Sequence, residues 1–269
     1  MSLVTVFDGD RLRASLLRQD RPGGPLIVTF DFRKRGKRDF GAPSASTQFE
    51  KAGFSQLSIK SRANDWFIND ETPALEQTLA ALAAGFAPVH MLGWSMGGYG
   101  AFRFARAMNA ERVVAVSPQV SLDPDVAPFE WRYGTEAAGF DPAIGAIPAP
   151  REGGPSGLIL VDPFIPADLA HARALEALFP NVRILRLAGG GHPASRLLRD
   201  CGKAWLIQRA ARDARTDLRP IRKSHAQARR GAPGYWSRLA AAAATRHPAL
   251  ARTARARAGA LEPQAGSDT

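Results

Sequence analysis

The sequence predicts an α/β fold, a mostly parallel sheet covered by helices on both faces. Three observations predict it. Short continuous apolar runs at residues 26–30, 89–92, 113–116 and 157–161 read as strands buried on both sides. Segments with helical spacing alternate with them, among them residues 72–82, where Leu75, Leu79 and Leu82 share a face. Finally, Gly93-Trp94-Ser95-Met96-Gly97 follows one apolar run and precedes a helix-like segment, residues 98–107.

The elements follow in order. Residues 4–7 and 12–17 read as two short antiparallel strands. Arg21-Pro22-Gly23-Gly24-Pro25 is a turn. The strand at 26–30 leads to a basic loop at 33–38. A short helix at 48–52 and a strand ending at Ile59 come next. Thr72-Pro73 opens a helix with proline at its first position. After the strand at 113–116, residues 121–155 break the rhythm. This Pro-, Gly- and Asp-rich stretch is either a short lid or a long surface loop. A helix at 167–179, a strand at 182–187 and a closing helix at 193–211 complete the expected domain, residues 1–212.

Residues 213–269 form an expected Ala- and Arg-rich extension, with one or two helices in 236–261 and disorder at 263–269. The net charge of the chain is +11, and +7 of it lies in this extension. A solvated basic tail accounts for that better than a nucleic-acid surface. No apolar run approaches the roughly 18 residues that span a membrane. The N-terminus lacks a basic segment followed by an apolar one, so no secretory signal is visible. Cys201 is the single cysteine, which leaves no internal disulfide or thiolate cluster. Cytoplasmic residence, no cofactor and no metal are the expectations.

The pentapeptide at Ser95 carries the chemistry. Strand, sharp turn and helix place a serine at the apex, in a sparsely populated backbone conformation. Gly93 and Gly97 remove side chains that would collide within the turn. The Met96 amide then lies at a helix N-terminus. A serine hydroxyl needs a base, and the base needs an acid.

Asp162 directly follows the buried run at 157–161, which puts it at the carboxyl edge of the sheet, where ligands bind in open α/β folds. It could equally cap the turn before Pro163. Asp168 is the neighbouring candidate, in the first turn of a helix where any acid is favourable. Gly189-Gly190-Gly191-His192 offers a glycine-led loop able to carry an imidazole over the serine; the alternative is a surface histidine. His90, His171, His225 and His247 are less well placed. The order is Ser95, Asp162, His192, with gaps of 67 and 30 residues.

In these three pieces, Gly93–Gly98, Asp162-Pro163-Phe164-Ile165-Pro166 and Gly190-Gly191-His192, the chain resembles the α/β-hydrolase fold superfamily over residues 1–212. With Gly97-Gly98-Tyr99 and Val116-Ser117-Pro118-Gln119 it is also loosely similar to small bacterial members associated with surface-polysaccharide functions. The resemblance implies a Ser95–His192–Asp162 triad. It also implies an oxyanion hole made by the backbone amides of Met96 and of Phe32, which follows the strand at 26–30. The superfamily often has His-Gly at that second site; this chain has Asp31-Phe32.

Trp94, Asp65 and Trp66 are the candidate substrate contacts. The last two lie either at a pocket rim or in a turn packed on its own aromatics. The basic loop, Arg33 to Arg38, offers attraction for an anionic substrate or is a solvated surface. The expected function is a serine esterase or thioesterase acting on a small-molecule or carbohydrate ester. Its rivals are acyl transfer to a sugar hydroxyl and a non-catalytic binding protein on the same fold.

Overall fold

A computed structural model describes residues 2–262. The expected disorder at 263–269 therefore lies outside the described residues. Eight strands form one sheet: β1 (Ser2–Asp8), β2 (Leu12–Arg18), β3 (Leu26–Phe30), β4 (Ser55–Ser61), β5 (Val89–Trp94), β6 (Arg112–Val116), β7 (Ser156–Val161) and β8 (Val182–Arg186). Their order is β1-β2-β4-β3-β5-β6-β7-β8. β2 runs antiparallel to both β1 and β4, and the other neighbours are parallel.

Eleven helices are described: α1 (Thr47–Lys51), α2 (Thr72–Ala83), α3 (Met96–Arg103), α4 (Gly134–Ala137), α5 (Pro142–Gly145), α6 (Pro166–Leu178), α7 (Arg196–Asp200), α8 (Trp205–Arg212), α9 (Arg219–Arg230), α10 (Pro233–Ala243) and α11 (Pro248–Leu261).

Side chains alternate across a strand, so consecutive residues enter opposite cores. Leu26, Val28, Phe30, Val113, Ala115, Ile159 and Val161 enter one core, with Leu75 and Leu79 of α2, Phe102 of α3 and Leu175 of α6. Ile27, Val114, Val116, Leu158 and Leu160 enter the other, with Phe49 of α1 and Leu206, Ile207 and Ala210 of α8. The continuous apolar runs are thus the two-sided burial expected of parallel strands.

Three elements depart from expectation. The closing helix is two, α7 and α8, because Gly202 takes φ +69° between them. The 121–155 segment folds as α4 and α5 with turns, and it is anchored on α3 through Tyr99 Oη to the Gly145 carbonyl and Arg103 Nε to the Ile144 carbonyl. The extension begins with a helix that sequence reading did not place. α9 seats Ile221 in the second core, and α10 and α11 pair through Ala240, Ala243, Ala251, Ala254 and Ala258. Among the described residues, no helix is long and apolar enough to cross a membrane.

Candidate active site

β5 delivers Ser95 and α3 leaves from it. Ser95 sits at φ 51°, ψ −120°, a strained region for a residue with a side chain. Its amide donates to the Val116 carbonyl at 2.8 Å, which pins the turn to β6. The glycines are needed for close approach. A Cβ on Gly93 would lie 1.9 Å from the Gly97 carbonyl oxygen, and one on Gly97 would lie 2.7 Å from the Asp31 carbonyl oxygen.

Ser95 Oγ lies 2.8 Å from His192 Nε2. His192 Nδ1 lies 2.8 Å from Asp168 Oδ2. The carboxylate fixes the tautomer: Nδ1 carries the hydrogen it donates to Asp168, leaving the Nε2 lone pair for the serine hydroxyl.

The acid expected beside His192 was Asp162, and the structure places Asp168 there instead. Asp162 is fully buried, and its oxygens are spent on backbone amides. Oδ1 accepts from Phe164 at 3.0 Å and Gly189 at 2.9 Å, and Oδ2 accepts from Gly191 at 2.8 Å. Asp162 therefore shapes the glycine loop that carries His192. Asp168, in the first turn of α6, is also fully buried and points its free oxygens outward from that helix to the imidazole and to Arg132.

Arg132 extends the relay. Its Nη1 donates to Asp168 Oδ1 at 2.6 Å, and its guanidinium also grips Glu130, with Nε 2.8 Å from Oε1. Glu130 Oε2 lies 2.9 Å from His171 Nε2, and His171 Nδ1 accepts the Val120 amide at 3.1 Å. Since Nδ1 accepts, Nε2 carries the hydrogen and donates to Glu130. Burial alone would raise the Asp168 carboxyl, but the hydrogen bond and charge of His192 and the Arg132 guanidinium outweigh it and hold it below its usual range. Burial likewise opposes ionisation of Glu130, and its bonds to Arg132 and His171 pull it down to about 2.

Both expected oxyanion donors are near Ser95 in the fold. Met96 is the first residue of α3, so its amide is among those with no intrahelical acceptor. The Phe32 amide is engaged differently from the expectation. It donates to Asp31 Oδ1 at 3.2 Å, the carboxylate of its own neighbour. Asp31 is buried and neutralised by lysines. Lys37 Nζ is 2.7 Å from Oδ2, with Lys34 and Lys60 at 3.5 and 3.7 Å from Oδ1. Burial lowers the Lys60 ammonium below its ordinary value, against the pull of Asp31.

A cleft of about 570 Å³ opens over the serine. Phe32, Trp94, Tyr133, Pro193 and Ile207 give it apolar walls, and Arg33 and Arg199 are the arginines lining it. Trp94, a candidate substrate contact, lines the cleft, with its indole donating to Ser195 Oγ at 3.2 Å. Asp65 and Trp66 do not line the cleft. Trp66 and Phe67 both take positive φ, which turns the two rings into the core. Asp65 caps that turn by accepting from Phe67 N and Asn69 Nδ2, and Trp66 donates to Gln119 Oε1 at 3.1 Å. Trp66 bears on the site indirectly, by packing 4.8 Å from the Tyr133 ring.

Sequence reading missed Tyr133, Arg132, Glu130 and the partnered role of His171. One signal was present: Asp168, His171, Ala172 and Leu175 recur at i, i+3, i+4 and i+7, a single inward face of α6. Among the described residues, no cluster of three or more His, Cys, Asp or Glu could hold a metal ion.

No family model matches the chain, and no curated protein sequence matches it. Solved structures do. The capsule O-acetyltransferase of Neisseria meningitidis serogroup A, a mutant in complex with CoA, aligns with a TM-score of 0.50 at 15% identity, over 76% of this chain and 94% of that one. Brefeldin A esterase, described as a bacterial homologue of human hormone sensitive lipase, aligns with a TM-score of 0.50 at 17% identity, over 78% and 76%. The chain has the α/β-hydrolase fold.

Proposed function

We propose that the chain is a serine hydrolase that cleaves a carboxylic ester or thioester through an acyl-enzyme on Ser95. The observation that carries this reading is the relay from Ser95 Oγ through His192 to Asp168, 2.8 Å at each contact. A strained serine, an oriented imidazole and a buried acid in one line favour catalysis over a non-catalytic binding role on the same fold.

The steps follow from the geometry. Ser95 Oγ bonds to the carbonyl carbon while its proton passes to His192 Nε2. Asp168 remains ionised and stabilises the imidazolium. The tetrahedral oxyanion is held by the Met96 amide and a second donor. Collapse breaks the bond to the leaving group, which takes the proton from Nε2. A water then gives its proton to His192 and attacks the acyl carbon. Ser95 Oγ leaves and recovers the proton. The apolar walls suit an ester with an apolar part, while Arg33 and Arg199 are already paired with Glu136 and Asp200.

A sugar hydroxyl in place of water gives an acyltransferase by the same steps. The likeness to the capsule O-acetyltransferase in complex with CoA favours keeping this acceptor in view. Incubating the protein with an acyl donor and a range of sugars, then weighing free acid against acylated sugar, separates the two.

The reading itself is tested with a fluorophosphonate probe. Wild type should label, Ser95→Ala should not, and His192→Ala should label slowly. A folded wild type that takes no label overturns it.

A further inference from the structure

Tyr133 enters the cleft from the 121–155 segment, and its hydroxyl lies 3.1 Å from His192 Nε2. Among the described residues, no other phenol lines the cleft. The ring is fixed on one side by Trp66, and the guanidinium carbons of Arg132 and Arg33 lie 5.3 and 5.7 Å from its centroid. Meanwhile the Phe32 amide, where a second oxyanion donor is expected, is turned to Asp31.

We propose that the Tyr133 hydroxyl is the second oxyanion donor, a catalytic residue that donates a hydrogen bond to the carbonyl oxygen as it becomes charged. This rests on the proposed serine chemistry. Covalent bonds are untouched by the step: the phenol keeps its proton, and its hydrogen bond, shared with Ser95 at His192 Nε2 in the free protein, turns to the substrate oxygen as that nitrogen takes up the serine proton. Burial raises its ionisation above the ordinary tyrosine value, so it remains a donor at neutral pH. The neighbouring guanidinium groups favour an O–H polarised toward a developing anion. A preorganised donor of this kind is worth about 10²–10³ in turnover.

The test is Tyr133→Phe, which keeps the ring against Trp66. With a p-nitrophenyl ester that wild type turns over, kcat should fall about 100-fold with KM changed little. Rapid stoichiometric reaction of the variant with diethylpyrocarbonate at His192, as in wild type, should show an intact base. A kcat within about threefold of wild type overturns the assignment. Absence of fluorophosphonate labelling in wild type overturns the serine reading and this assignment together, so the two failures are distinguishable.

A second, independent set of contacts concerns the loop that carries His192. Asp162 holds it from beneath, and α9 and α10 hold it from outside. His225 Nε2 donates to the Ala188 carbonyl at 2.9 Å, and Arg238 Nη1 reaches the Gly189 carbonyl at 3.4 Å. Tyr235 covers Gly189 so closely that a Cβ there would meet its ring at 2.4 Å, and it packs 6.3 Å from Phe164. We infer that His225, Tyr235 and Arg238 are positioning residues that hold the His192 loop in register with Ser95.

His225→Phe combined with Arg238→Ala should lower kcat at least tenfold with KM steady, and His225→Asn, which keeps a donor, should recover most of it. A double variant that loses thermal stability yet keeps kcat within twofold overturns the inference and leaves these contacts purely structural. Both readouts require a wild type that labels with the fluorophosphonate probe.

Discussion

Asp168 Oδ2 sits 2.8 Å from His192 Nδ1, although Asp162 lies closer to the strand end. The two buried aspartates divide one task. Asp162 folds the glycine loop by accepting the amides of Gly189 and Gly191, besides that of Phe164 in its own turn, and Asp168 receives the imidazole that the loop delivers.

Substitution separates the two roles. Asp168→Asn should lower kcat by about 10⁴, because an amide no longer selects the required imidazole tautomer, and it should also lower stability, since Arg132 loses one of its two buried carboxylates. Asp162→Asn should act mainly on stability, costing about 1–3 kcal/mol as an –NH₂ group meets backbone N–H groups. Steady-state kinetics beside urea unfolding of both variants checks the division.

Arg132 holds two buried carboxylates, Glu130 and Asp168, at once. Arg132→Met should leave them facing each other without a cation. The expected loss is about 3 kcal/mol, at the lower end for a broken buried pair because the guanidinium keeps some exposure. Activity should fall as well, since Asp168 loses its second partner. Urea midpoints measured at neutral pH read the first effect.

His90 sets a pH dependence of stability. Burial, then the charge of Arg112, pushes its imidazole down to about 4. The unfolded chain takes up that proton near the ordinary 6.5, while the folded one resists it. The stabilisation is therefore whole above about pH 6.5 and is lost progressively as pH falls toward 4. Thermal midpoints should drop across that window, and His90→Leu should flatten the slope there.

The elbow was legible in sequence because part of its constraint is local. Gly93 is dictated by a collision with Gly97 inside the turn, so it can be read from the pentapeptide; Gly97 makes room for the end of β3 at Phe30 and Asp31, a long-range reason that the sequence does not display. His192 was legible because a run of glycines before a lone imidazole has few uses. The acid was not, since order along the chain cannot rank two aspartates six positions apart. What decides between them is that residues 189 and 191 consume the oxygens of Asp162, a long-range fact. Tyr133 was hidden for a similar reason: it is one aromatic in an irregular segment, and only the anchoring of that segment on α3 brings it over the serine. The basic extension read as solvated surface because its charge dominated. Its alanines, and Ile221 and His225 on α9, carry the packing.

The most direct measurement is the intact mass of the protein mixed briefly with p-nitrophenyl acetate and quenched in acid. A single acetyl group that maps to Ser95, accumulates in wild type and is absent from Ser95→Ala is the predicted result. Turnover of the ester with no adduct at Ser95, or an adduct that persists in Ser95→Ala, would contradict a nucleophile driven by His192 and Asp168.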